Sequence, residues 1–282
     1  MIASTLEVHR VRVFNTDVEY AAMGAGAAEY ERIEEWLRSL DARFSRFRED
    51  SELSALNSSG GEWVTISHEM SQMLAHALRV EADSLGLVNI ATTQALIDVG
   101  YRRPWPAAWV GAGEEPSPVR PLFEVLELGR GRARLAAGVN VDFGAIAKGV
   151  WADEAVRRLG GDAVVSLGGD VAARGGGPVG EGWAVQVPGD RVVMLSVGGV
   201  ATSGVTKRAS DVAHHIIDPR TGAPAAVDAQ TITVLAATAT AAEWAATALI
   251  IDQSQCERLA ARGVVDAVWA DGAALIVRKD NA

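Results

Sequence analysis

Four short stretches combine residue types and spacings that could do chemistry. In Val139-Asn140-Val141-Asp142-Phe143-Gly144-Ala145-Ile146-Ala147-Lys148-Gly149 a strand-like run ends in an acid, a glycine turn follows, and Lys148 falls in the first turn of a helix. Free N–H groups and the helix dipole make such a junction a seat for an anion. The same residues also fit Asp142 as a helix cap and Lys148 as a solvated surface charge. Ser166-Leu167-Gly168-Gly169-Asp170 is a buried strand running into a Gly-Gly-Asp turn, which permits close backbone approach or makes an ordinary turn. In His214-His215-Ile216-Ile217-Asp218-Pro219-Arg220-Thr221-Gly222 two adjacent histidines point oppositely on a strand, so at most one faces a site. A neutral His215 beside an acid suits a general base, while Asp218, Pro219 and Gly222 fit a plain β-turn. Finally, Glu243 and Thr247 lie at i and i+4 of a helical stretch. They share a face and offer the hard oxygens that Mg²⁺ prefers, or else they are an exposed polar pair.

These residues need elements to hold them. Ile33, Trp36, Leu37 and Leu40 have helical spacing within 27–42, followed by a polar stretch with Phe44 and Phe47. A second helix is expected over 67–85, with Ser67 as its N-cap, and a third over 146–159, with Ala152, Ala155, Val156 and Leu159 inward. Further helices are expected near 240–252 and 255–262, the latter opened by the capping box Ser254-Gln255-Cys256-Glu257. Strands are expected at 163–167, 183–187, 191–197, 231–236, 264–270 and 274–278, separated by glycine-rich turns. Without regular βαβ alternation, the fold class is α+β. The chain reads as one domain over 1–282, or two lobes, with a Pro/Gly-rich excursion at about 102–121.

Composition sets outer bounds. The 282 residues carry a net charge of −10, 49% are hydrophobic, and mean hydropathy is +0.11, which excludes a disordered chain and leaves ample residues for a core. The acidic balance argues against nucleic-acid partners, but not against a phosphate held by local positive charge. A single cysteine, Cys256, allows neither an internal disulfide nor a cysteine cluster for zinc. No basic start followed by an apolar block opens the chain, and apolar runs break before bilayer length. The expectation is a cytoplasmic protein without a membrane partner.

Taken in order, these stretches resemble the ApbE family, the Mg²⁺-dependent FAD:protein FMN transferases. The resemblance runs from about Asn15 to Leu249. It rests on Ser45-Arg46-Phe47-Arg48 through Ser51-Glu52-Leu53-Ser54, on Val141-Asp142-Phe143-Gly144-Ala145-Ile146-Ala147-Lys148-Gly149, on Ser166–Asp170, on Ala201-Thr202-Ser203-Gly204, and on His215–Gly222.

The resemblance implies a T-fold-related α+β architecture, with antiparallel strands and packed helices around bound FAD. Asp142 and Lys148 would contact FAD, Ile217 would line the flavin site, and Phe47 and Glu52 would lie near the cofactor. Phe14, Leu87, Val88 and Asn89 occupy further cofactor-contact positions. The carbonyl of Ala145, with Glu243 and Thr247, would hold Mg²⁺, and His215 would be the base. A threonine hydroxyl of an acceptor flavoprotein would take FMN from FAD, releasing AMP; the alternatives are a non-catalytic FAD-binding protein or an FAD pyrophosphatase giving FMN and AMP. The chain departs from the family pattern in three places. Val88-Asn89-Ile90-Ala91 stands where the family usually reads F-D-P-T, Phe14-Asn15-Thr16 where it reads M-G-T, and Glu243 where the metal helix usually carries Asp.

Overall fold

Strands that alternate inward and outward residues build most of the molecule. The computed structural model describes residues 6–103, 115–206 and 214–277. Most of the 102–121 excursion, including Pro104, Pro106, Gly111 and Gly113, lies outside the described residues, as do residues 1–5 and the last residue of the strand expected at 274–278. The chain divides into two compact units: Met1–Ser39 with Ile146–Gly204 and Asp228–Ala282, and Leu40–Ala145 with Val205–Val227.

The first unit is organised by an eight-stranded, wholly antiparallel sheet. Its strands are β1 (His9–Val13), β2 (Thr16–Ala22), β6 (Ala163–Leu167), β7 (Asp170–Arg174), β10 (Val197–Gly204), β11 (Thr231–Ala236), β12 (Ala267–Ala270) and β13 (Ala273–Val277), adjacent in that order. A separate hairpin, β8 (Trp183–Val187) with β9 (Arg191–Leu195), packs Trp183, Val185 and Leu195 against Val171, Val200 and Trp269 of the sheet. Helices α6 (Ala147–Leu159) and α7 (Ala239–Ile251) pack on β6, β7, β10 and β11. Short helix α8 (Cys256–Ala261) follows α7.

Period-two alternation assigns the faces. Val171 and Ala173 of β7 meet the hairpin, so Asp170 and Ala172 face the other way; likewise Val200 of β10 meets the hairpin, while Gly199, Ala201 and Ser203 face α7. Ten of the thirteen residues of α7 are buried. A helix apolar nearly all round is a core helix, and each of its fully buried large side chains, such as Leu249, contributes about 1.5–3 kcal/mol. Its N-terminal N–H groups are satisfied by Asp153 of α6, whose carboxylate accepts from Ala239 and Thr240 N–H, both at 2.9 Å.

The second unit holds a three-stranded antiparallel sheet ordered β3 (Val64–Thr65), β5 (Arg132–Leu135), β4 (Leu126–Gly129). With it are α2 (Glu52–Asn57), α3 (His68–Asp83), α4 (Thr93–Asp98) and α5 (Leu122–Val125). Helix α1 (Ala27–Phe44) begins in the first unit and ends in the second. Ser67 caps α3 as expected, accepting from Met70 N–H at 3.1 Å. The capping box at Ser254 does not form. Gln255 is the N-cap of α8 without a side-chain bond, and Ser254 sits in a preceding 3₁₀ turn capped by Asp252. The Asp252 carboxylate instead takes both Ser254 N–H at 3.1 Å and its hydroxyl at 2.6 Å, the two groups the box would have used.

Within α3, His76 keeps its Nε2 buried with no hydrogen-bond partner among the described residues. Burial, helped by the nearby Arg79, pushes its pKa down to about 4. The unfolded chain, with histidine near 6.5, therefore binds the proton first. His76 stabilises the fold fully above about pH 6.5 and loses that contribution as pH falls toward 4. Unfolding free energy is expected to drop by about 2 kcal/mol from this residue between pH 7 and pH 5. Urea unfolding of His76→Gln at both pH values checks this; an undiminished acid loss in the variant would assign the proton elsewhere.

Candidate active site

Helix α6 opens at the end of the motif containing Asp142 and places Lys148 in its first turn. The side chain is not a solvated charge. Only 21% exposed, it donates from Nζ to Asp170 Oδ2 and, at 2.5 Å, to Glu243 Oε1. Asp170 is the first residue of β7, set by the two-residue Gly168-Gly169 turn that closes the Leu167↔Asp170 pair. Both glycines have positive φ, 62° and 102°, as such hairpin turns require. Glu243 is the only charged residue of α7 and is 2% exposed, far from the exposed polar pair that its spacing also allowed.

A buried carboxylate is tolerable only when paired and hydrogen-bonded. Glu243 meets that condition twice, because its Oε2 also accepts from Gly149 N–H at 2.7 Å. That contact depends on glycine. A Cβ at 149 would stand 2.9 Å from Thr240 Cα and closer still to the Ala239 carbonyl, so a larger residue would force α6 and α7 apart. Burial, opposed by Lys148 and reinforced by Asp170, raises the carboxyl of Glu243 above the usual range. Lys148 goes the other way from a buried amine: desolvation lowers it, but the two carboxylates outweigh that and hold it charged. One turn further along α7, Thr247 shares a hydroxyl–hydroxyl bond of 3.0 Å with Ser203. The first unit thus gathers an ammonium, two carboxylates and two hydroxyls. The donor set is all oxygen, and carboxylate and hydroxyl oxygens suit a hard cation such as Mg²⁺. Phe14 belongs to the same unit, in the β1–β2 turn at φ 54°, with its ring stacked on Trp151 of α6 at 4.4 Å.

The second unit gathers a different set. Arg46, with 8% of its side chain exposed, pairs with Asp142 at 3.0 Å and donates to the Tyr101 carbonyl at 3.0 Å. Its guanidinium also lies over the rings of Phe47 at 4.1 Å and Tyr101 at 5.0 Å. Tyr101 packs with Leu96 and Ile217. Asp142 does not cap α6; its Oδ1 accepts from Gly144 N–H at 2.7 Å, and the N-cap position, Ile146, has no side-chain bond. Phe47, Asp142 and Ile217 are therefore linked through Arg46 and Tyr101, and Phe47 remains 37% exposed.

Other anticipated residues have partners within the fold. Glu52 accepts from Ser67 N–H at 2.5 Å, tying α2 to the start of α3. Leu87, Val88 and Asn89 are all buried, and the Asn89 amide bonds Glu81 at 3.0 Å, the Arg120 carbonyl at 3.0 Å and Ala91 N–H at 2.8 Å. Ala145 ends its stretch of the second unit, whereas Glu243 and Thr247 belong to the first. Of the two histidines, His214 is tied to backbone: Nδ1 accepts from Ile216 N–H at 3.3 Å, and Nε2 donates to the Ala225 carbonyl at 3.1 Å. Burial lowers its pKa, consistent with a neutral ring. The neighbouring His215 is partly buried. Ile217 and Pro224 bridge the turn that follows, where Gly222, at φ 74°, abuts the Ser117 carbonyl.

Sequence reasoning gave no site role to Asp170, Arg46, Tyr101 or Ser203. Asp170 had a faint signal, an acid directly after a Gly-Gly turn, and Arg46 lay inside a quoted motif. Tyr101 had none.

A model of the ApbE family matches residues 9–269, and the chain belongs to that family. It is 28% identical to the FAD:protein FMN transferase of Haemophilus influenzae over 289 aligned positions, covering 89% of this chain and 79% of that protein. The crystal structure of the ApbE protein from Thermotoga maritima has a TM-score of 0.84 at 23% identity, covering 98% of both chains. The apo form of the Pseudomonas stutzeri flavinyl transferase ApbE scores 0.77 at 23% identity, covering 95% of this chain and 93% of that one. These likenesses establish the α+β fold.

The Asn89 network explains the departure at that position and makes it testable. Burial raises the carboxyl of Glu81, which already accepts from Leu122 and Phe123 N–H as well as from Asn89. Asn89→Asp would set a second carboxylate against it with no amide to donate. The variant is expected to lose about 1–3 kcal/mol at pH 8 and to regain part of that toward pH 5, where one carboxyl protonates and donates. A loss equal at both pH values in chemical denaturation would count against like-charge repulsion.

Proposed function

We propose that the protein is an FAD:protein FMN transferase that uses Mg²⁺ and a threonine hydroxyl of an acceptor flavoprotein. The hydroxyl oxygen attacks the FMN-side phosphorus of FAD, the bond from that phosphorus to the oxygen bridging to AMP breaks, and AMP leaves. FMN remains on the threonine as a phosphoester. The observation that carries this reading is the Lys148–Asp170–Glu243 cluster, formed at the family's own motif positions and charged at neutral pH through Lys148.

Lys148 would direct its ammonium at the pyrophosphate, where negative charge builds during displacement. Glu243 and Thr247 would hold Mg²⁺, which when bound offsets phosphate charge as a Lewis acid. His215 would take the proton of the attacking hydroxyl. Phe47, with its exposed ring supported by Arg46 and Tyr101, would contact the flavin, and Asp142 and Ile217 would complete that surface.

The protein should be mixed with FAD, MgCl₂ and an acceptor domain carrying a threonine flavinylation motif. The expected result is an FMN-sized mass gain on the acceptor with one AMP released per transfer. Free FMN and AMP without acceptor modification would indicate hydrolysis, and retained FAD without AMP would indicate a binding protein; either overturns transfer. Glu243→Gln is expected to abolish Mg²⁺-dependent transfer. His215→Ala should slow it by roughly 100-fold or more while leaving FAD bound; an unchanged rate removes His215 from the base role.

A further inference from the structure

Asp170 is a buried carboxylate, 3% exposed, whose one side-chain partner among the described residues is Lys148. It cannot follow a moving partner, because the two-residue turn and the Leu167↔Asp170 pair fix it in the sheet. Lys148 can move: its ammonium sits on a flexible four-carbon stem and bridges Asp170 and Glu243. Glu243 is likewise immobile on a packed core helix, held at its other oxygen by Gly149 N–H. One mobile cation thus lies between two fixed anions.

We propose that the Lys148 ammonium is the resident occupant of the cation seat at Glu243, and that Asp170 is the positioning residue that retains the ammonium when a divalent cation takes that seat. The inference rests on the reading of Glu243 as a cation ligand. Paired there, Lys148 neutralises a buried carboxylate whose other oxygen has the Gly149 N–H as its partner. A cation arriving at Glu243 must displace the ammonium from Oε1. Asp170 gives that ammonium a second buried anion, so it stays charged and beside the cation instead of being expelled against it. Two carboxylates facing one lysine make the exchange close to balanced, since the Lys148–Asp170 pair survives it.

The test is Mg²⁺ binding by titration calorimetry, with the metal alone as probe and folding checked by circular dichroism. Lys148→Met is expected to tighten Mg²⁺ binding at least fivefold, because a tethered competitor is gone. Asp170→Asn is expected to weaken binding at least fivefold in the native background but to change it by less than twofold in the Lys148→Met background. Asp170→Glu, which keeps the charge, should restore at least half of the lost affinity. An Asp170→Asn effect that persists without Lys148 would make Asp170 a direct ligand and overturn the proposal. So would Lys148→Met binding Mg²⁺ no more tightly than the native protein, which decides the matter even if Asp170→Asn fails to fold. Glu243→Gln separates the two levels. If it leaves Mg²⁺ affinity unchanged, the cation reading falls and this inference with it; if it abolishes binding while the double-variant coupling is absent, only this inference falls.

Discussion

One ammonium shared by two buried carboxylates is the constraint around which the first unit is arranged. Helix α7 is apolar enough to be core throughout, and a single carboxylate inside it would be costly without a counter-charge. Lys148 and Gly149 of α6 supply an ammonium and an N–H to the two oxygens of Glu243. Both contacts require α6 and α7 to lie closer than any side chain at 149 would allow. Asp153, one turn and a half further along α6, fastens the N-terminus of α7 and so keeps the two helices in that register. Removing one member of such a cluster typically costs about 3–5 kcal/mol, because the others are left unpaired in a poor solvent.

The second unit solves a related problem with a different cation. Arg46 is nearly buried, and its planar guanidinium meets a carboxylate, a carbonyl and two aromatic faces together. A lysine could not satisfy that geometry, since it lacks the flat face and the fork of donors. Arg46 thereby orients Phe47 and Asp142, the residues through which this unit would meet a flavin. The network around Asn89 plays the complementary part. It engages both ends of the Asn89 side-chain amide, and the backbone of the neighbouring Ile90 accepts from Asp142 N–H at 2.9 Å. The segment supports Asp142 from behind with main chain.

Much of the framework was legible in the sequence where local pattern decides. The strands Ala163–Leu167, Trp183–Val187 and Thr231–Ala236 fall at their expected bounds, and α1, α3, α6 and α7 within a few residues of theirs. Others were not legible. The run expected at 191–197 is two strands, β9 and the start of β10, parted at Ser196. β10 itself has glycines at 198, 199 and 204, which read locally as turn. It is a strand because β7 and β11 flank it, and because Gly199 must pass close under Ala239. At Ser254 local pattern misled, since Asp252, two residues back, takes both the N–H and the hydroxyl that the capping box would have used.

By itself the sequence determined the α+β class, the ordered motifs that identify the family, the position of Lys148 in a helix's first turn, and the shared helix face of Glu243 and Thr247. These depend on composition and on spacings of a few residues. Tertiary structure alone decided that Lys148 meets Asp170, 22 residues away, and Glu243, 95 away. It also decided that Asn89 turns inward to Glu81, and that Arg46 lies between Asp142 and two rings. The reason is physical: an isolated stretch fixes which way a side chain points along its own helix or strand, but the partner it finds there is set by sheet register and helix approach. Those are long-range quantities, and a glycine at 149 or a turn at 168–169 shows its meaning only once the chains it brings together are in place.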